Sequence, residues 1–143
     1  MSTSTLYFEN GVASVSIDRD ACVHLTYYTG KHMAEDLLEV LQHTGYLLQR
    51  RQWHWLLEDQ RRLTPLTTEQ QLVVARYWQG QARHLSQPLC VAVVQAQNVF
   101  ARLTAAALRH SLQAAPITYS LFADMEAAST WLRTQASSSQ FSL

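Results

Sequence analysis

Glycine, proline and cysteine are all scarce in this 143-residue chain, at four, three and two residues. So little Gly and Pro excludes a linker-rich or low-complexity chain, and a 48% hydrophobic share marks an ordinary globular one. Charge is sparse as well, 15% of residues, and sums to zero. Without a net field the chain cannot gather polyanions at long range, so nucleic acid is not an expected partner. Lys31 is the lone lysine; the other basic residues are arginines, whose planar fork suits carboxylates better than diffuse attraction. No segment approaches the roughly 18 uninterrupted apolar residues of a membrane span. Met1 leads into a Ser/Thr stretch and not into a basic and apolar leader. A cytoplasmic location without membrane insertion is therefore expected. Cys22 and Cys90 lie in separate apolar runs and form no CxxC, so they read as buried, reduced thiols.

Catalytic signatures are missing too. There is no GxSxG elbow for a nucleophile, and Gly11, Gly30, Gly45 and Gly80 stand alone, with no phosphate-cradling loop among them. His24, His32, His43, His54, His84 and His110 show no HxH, HxxxH or HExxH spacing, so no metal is expected. Glu58 and Asp59 are neighbours on a strand and point to opposite sides, which prevents them from sharing one substrate as acid and base. One of them is expected to bind an arginine. A non-enzymatic domain without a cofactor is the resulting expectation.

What is present is a regular alternation of elements. Residues 1–5 and 135–143 have little apolar content and are expected to fray, leaving one domain over 6–134. Leu6-Tyr7-Phe8-Glu9, Asn10-Gly11 and the alternating Ala13, Val15 and Ile17 predict a hairpin. A further strand follows from Cys22 to Tyr28. From about Met33 the period becomes helical, with Leu37, Leu41, Thr44 and Leu48 on one face. Gly45 either ends this helix or merely interrupts it. Trp53 to Glu58 reads as a buried central strand. Thr67 or Thr68 caps a helix with the stripe Val74, Trp78, Ala82 and Leu85. Leu89 to Val94 is almost wholly apolar and predicts a strand covered on both faces. Asn98 caps a helix carrying Phe100, Leu103, Ala106 and Ala107 on adjoining faces. Ile117 to Phe122 is a last strand, and Asp124 caps a short helix with Ala128, Trp131 and Leu132 buried. The order argues for an α/β domain with a mostly parallel sheet and an antiparallel N-terminal portion.

Several local words in this order carry a resemblance: Tyr7-Phe8-Glu9-Asn10, Trp55-Leu56-Leu57-Glu58-Asp59, Val91-Ala92-Val93-Val94 followed by Asn98-Val99-Phe100, and Phe122-Ala123-Asp124-Met125-Glu126-Ala127-Ala128 leading to Trp131-Leu132. Together they resemble the SpoIIAA-like branch of the STAS fold across nearly the whole domain. The resemblance implies a mixed sheet of four or five strands, an N-terminal hairpin, about four helices packed largely on one face, and a switch-like role. In the anti-sigma antagonists of that family a phosphorylatable Ser stands at a helix N-terminus after the central strand. The matching stretch here, Asp59 to Thr68, has neither Ser nor Gly, so only Thr67 and Thr68 keep a hydroxyl near the helix start.

Two functions follow as expectations. The first is an interaction or regulatory module that binds a protein partner or itself. A homodimer is expected through Phe8 and Tyr7 at a sheet edge, with Tyr77 as the next contact candidate. The alternative is a small-ligand or lipid-binding domain using the crevice at the carboxyl ends of the strands. Asp59, Gln60, Arg61, Arg62, Gln95, Gln97 and Asn98 are the candidate binding residues in either case.

Overall fold

The computed structural model describes residues 4–85 and 87–141, with the side chains of 137–141 left out. Residues 1–3 and 142–143, part of the expected fraying ends, lie outside the described residues. The strands are β1 (Thr5–Glu9), β2 (Ala13–Ile17), β3 (Val23–Tyr27), β4 (Trp55–Asp59), β5 (Leu89–Val94) and β6 (Ile117–Phe122). The helices are α1 (Ala34–Arg51), α2 (Thr68–Ala82), α3 (Val99–Ser111) and α4 (Met125–Phe141). All six strands form one sheet in chain order, antiparallel from β1 to β3 and parallel from β3 to β6. The expected count of four or five strands is thus corrected to six. The hairpin and the strand after it supply three antiparallel strands before the first parallel crossover, and none of them leaves the sheet.

The turn between β1 and β2 works through Asn10 more than through Gly11. Asn10 Oδ1 accepts from the backbone N–H groups of Val12 (2.9 Å) and Ala13 (3.3 Å), while its Nδ2 donates to the Asp36 carbonyl (2.9 Å). One side chain therefore closes the turn and ties it to the first turn of α1. The edge strand β1 carries an irregularity between Leu6 and Phe8, a bulge of the kind that blunts pairing with another chain.

Helix α1 continues through Gly45 to Arg51 and stops where Gln52 adopts a left-handed conformation (φ 57°). Gly45 is there for packing. A Cβ at that position would stand 1.7 Å from the Tyr77 hydroxyl, so its absence lets α2 approach α1 closely. Thr67, rather than Thr68, caps α2 in a reciprocal capping box with Gln70. Asn98 and Asp124 cap α3 and α4 by accepting from the backbone N–H groups of Ala101 and Ala127.

The sheet separates two cores. On its front face α1, α2 and α3 enclose Val15, Leu25, Leu41, Leu48, Leu56, Trp78 and Val93. On its back face α4 alone covers Leu57, Ala92 and Val94 with Ala128 and Leu132. Covering both faces explains why Leu89 to Val94 has no polar residue. The backbone of α4 runs on to Phe141, past the boundary expected at 134.

Candidate functional site

The carboxyl ends of β3 and β4, with the loop after β5, form a ledge of about 470 Å³ lined by Thr26, Tyr27, Asp59, Arg61, Arg62 and Gln97. Asp59 is the last residue of β4, and Arg61 reaches back to it through two parallel bonds, Nε to Oδ1 (3.0 Å) and Nη2 to Oδ2 (2.8 Å). The Arg61 backbone N–H adds a third bond to Oδ1 at 3.1 Å. Burial pushes the Asp59 carboxyl up, but the Arg61 bonds and the charges of Arg61 and Arg62 outweigh it and hold the group below its ordinary range. The Gln97 N–H donates to the Arg61 carbonyl (3.2 Å), which draws the β5–α3 loop against the end of β4.

Of the seven residues expected to converge, four do: Asp59, Arg61, Arg62 and Gln97. Gln60 is buried and turns to the front face, where it lines a separate cavity. Gln95 continues the β5–β6 pairing through its N–H bond to the Phe122 carbonyl (3.0 Å). Asn98 is occupied with capping α3. The residues expected at a dimer contact are distributed differently from the ledge. Tyr7 is exposed on edge strand β1, Phe8 stacks on His43 of its own chain (centroids 3.8 Å apart), and Tyr77 is half-buried against Gly45.

Beneath the ledge on the front face lies the cavity that Gln60 joins. Its polar lining is Tyr27, Glu58, Arg109 and Tyr119, set among Leu63, Val74, Trp78 and Leu108. Its volume of about 30 Å³ is room for a water. Burial raises the Glu58 carboxyl to about 7, against the lowering effects of the Tyr27 hydroxyl bond (3.4 Å) and the Arg109 charge. Sequence reading placed Glu58 on the face opposite Asp59 but could not see this setting, because Tyr27, Arg109 and Tyr119 come from three other elements.

Helix α3 corrects a further expectation. Its buried residues are Ala101 and Ala105, whereas Phe100, Leu103, Ala106 and Ala107 face outward. Phe100 is 68% exposed, Leu103 61% and Val99 57%, next to the ledge in the chain. No carboxylate occurs between Glu69 and Asp124, a stretch that holds Arg76, Arg83, Arg102 and Arg109.

Among the described residues no helix is long and apolar enough to cross a membrane. No protein-family model and no curated protein matches the chain.

Proposed function

We propose that this domain is a non-enzymatic interaction module that engages an acidic, amphipathic helical segment of a partner protein through the outer face of α3 and the adjoining ledge. The observation that carries this reading is the exposure of Val99, Phe100 and Leu103 together on the first turns of one helix. Single exposed apolar residues are ordinary, but a contiguous group of large ones marks a contact surface. Arg102 lies on the same helix and Arg62 on the ledge, both exposed and with no ion pair among the described residues. The absence of acidic residues from 70 to 123 makes the surface a poor match for a second copy of itself and a good one for carboxylates.

A small-ligand role for the crevice is less well supported. In open α/β sheets the ligand crevice forms where strand order reverses, and here the order runs from β1 to β6 without reversal. The strongest charges on the ledge are also paired with each other. Kinship with the SpoIIAA-like family belongs to the same proposal, supported by α1, α2 and α3 standing between successive parallel strands on one face. The Thr67 hydroxyl accepts from the Gln70 N–H in the capping box, so the module we propose acts by constitutive docking and not through a phosphorylated helix start.

The test is NMR titration of the labelled chain with a synthetic helical peptide bearing a leucine stripe flanked by glutamates, and with the same peptide carrying lysines. The glutamate peptide should shift the amides of Val99, Phe100, Leu103 and Arg62, and Phe100→Ser should weaken binding at least tenfold while leaving stability within about 0.5 kcal/mol. Equal binding of the lysine peptide, or shifts confined to other surfaces, would overturn the reading.

A further inference from the structure

We propose that Asp18, Cys22 and His24 form a binding site for one divalent transition-metal ion, with Zn²⁺ the best match to the donor set. A carboxylate oxygen, a thiol sulfur and an imidazole nitrogen from these residues all lie within 4.8 Å of one another. Around tetrahedral zinc, with bonds of about 2.0–2.3 Å, donors stand about 3.3–3.8 Å apart, so small side-chain rotations close the set on an ion. Thiolate, imidazole and carboxylate together select zinc over magnesium or calcium, which prefer oxygen alone.

The chain fixes two of the donors before any ion arrives. Asp18 Oδ1 accepts from the N–H groups of Asp20 (2.9 Å) and Cys22 (3.0 Å), leaving Oδ2 turned to His24 Nε2 at 2.7 Å. Ala21, in the left-handed region at φ 58°, bends the loop so that Cys22 returns to Asp18, whose N–H donates to the Cys22 carbonyl (3.0 Å). His24 follows two residues later on β3 and so points to the same face of the sheet as Cys22. The sequence signal, Asp-x₃-Cys-x-His, mixes three ligand types and contains no paired histidines or cysteines.

Two independent features point to a cation here. The Asp18 and Asp20 carboxylates line the same cavity as the Cys22 thiol, so negative charge gathers beside the sulfur. Arg133, 3.7 Å from Asp20, neutralises only part of that charge. The second feature is access. The cluster sits in the wall of a cavity between β3, Trp55 and α4, and Asp18, Asp20, His24 and Arg133 continue into an open groove of about 650 Å³. The ion would be held from the inner side, with a coordination position free toward the groove for water or an outside donor. On binding, the Cys22 thiol proton passes to solvent and the proton of His24 Nε2 is replaced by one on Nδ1, so that sulfur and Nε2 each donate a lone pair to the metal and the Asp18–His24 hydrogen bond gives way to two metal bonds.

Titration of the purified full chain with Co²⁺ tests the site. One equivalent should bind with a thiolate-to-metal charge-transfer absorption that Zn²⁺ bleaches. Cys22→Ser should abolish the band, Asp18→Asn and His24→Ala should weaken binding at least tenfold, and Cys90→Ser should change nothing. No band in the unaltered chain, or a band that survives Cys22→Ser, would refute the site. Because Cys22 packs with Leu57 and Leu132, a second readout uses the unaltered thiol. Zn²⁺ should slow alkylation of Cys22 at least tenfold without protecting Cys90, and His24→Ala should remove that protection; equal rates with and without Zn²⁺ would also refute it.

Discussion

Glu58 and Asp59 are consecutive, yet their surroundings drive their acidities in opposite directions. Asp59 ends the strand beside Arg61, while Glu58 points into the front core with only a hydroxyl and a more distant arginine for support. The native Glu58 keeps its proton to about pH 7, whereas in the unfolded chain it is lost near the ordinary value of 4.5. Between those values the unfolded state binds fewer protons, so this group makes stability fall as pH rises. The whole effect is about 3 kcal/mol, complete above pH 7. Glu58→Gln should therefore flatten the decline in urea-unfolding free energy between pH 4.5 and 7 and make the variant the more stable chain at pH 8. An unchanged slope would show that Glu58 is not the group responsible. The adjacency of the two carboxylates was legible from the sequence, but their environments depend on residues from other elements.

The helices are decided by single contacts as much as by their apolar stripes. Gly45 lies within a helix that its sequence pattern could either end or continue. The helix continues because Tyr77 occupies the space over the missing side chain, with the Gln81 side chain donating to the Gly45 carbonyl (3.3 Å). Gly45→Ala should gain helix propensity yet lose net stability by about 1–3 kcal/mol, since the rigid Tyr77 ring must move. Adding Tyr77→Ala should recover part of the loss in a double-mutant cycle; simple additivity would place the cost elsewhere. Thr67 is a second case. Thr67→Ala removes the acceptor of the Gln70 N–H and should cost about 1 kcal/mol in thermal or chemical unfolding, while Thr68→Ala should cost much less. Equal losses at both positions would contradict the assignment of the cap.

At the scale of the molecule the sheet is shared by two unequal cores. Three helices protect the front, and α4 alone protects the back. Leu132 is buried at the centre of that smaller core, and Leu132→Ala should cost about 2–5 kcal/mol. Because Leu56 and Leu57 are neighbours on β4 and face different cores, both sides should still melt in one transition. Separate transitions by calorimetry and tryptophan fluorescence would show that the back core unfolds by itself. The sheet order also bears on function. Successive crossovers advance one strand at a time without reversal, and the carboxyl ends carry a polar ledge.

Local patterning is enough to set the elements and their order. Strand alternation, helical period and cap residues act within a few positions of one another, which is why Asn98, Asp124, a cap at Thr67 or Thr68, and the stripe Val74, Trp78 and Ala82 could be read directly. It also brought Asp59 near Arg61 and Arg62 at the end of a strand, and the structure pairs it with Arg61. Which face of α3 is buried depends instead on how separate elements pack together. That helix has two apolar faces, and burying Ala101 and Ala105 brings its backbone close to the core while leaving Phe100 and Leu103 outside. The tertiary structure likewise assembled the polar cavity around Glu58 from β3, β4, α3 and β6. Such contacts depend on where separate elements meet, a property that no local pattern encodes.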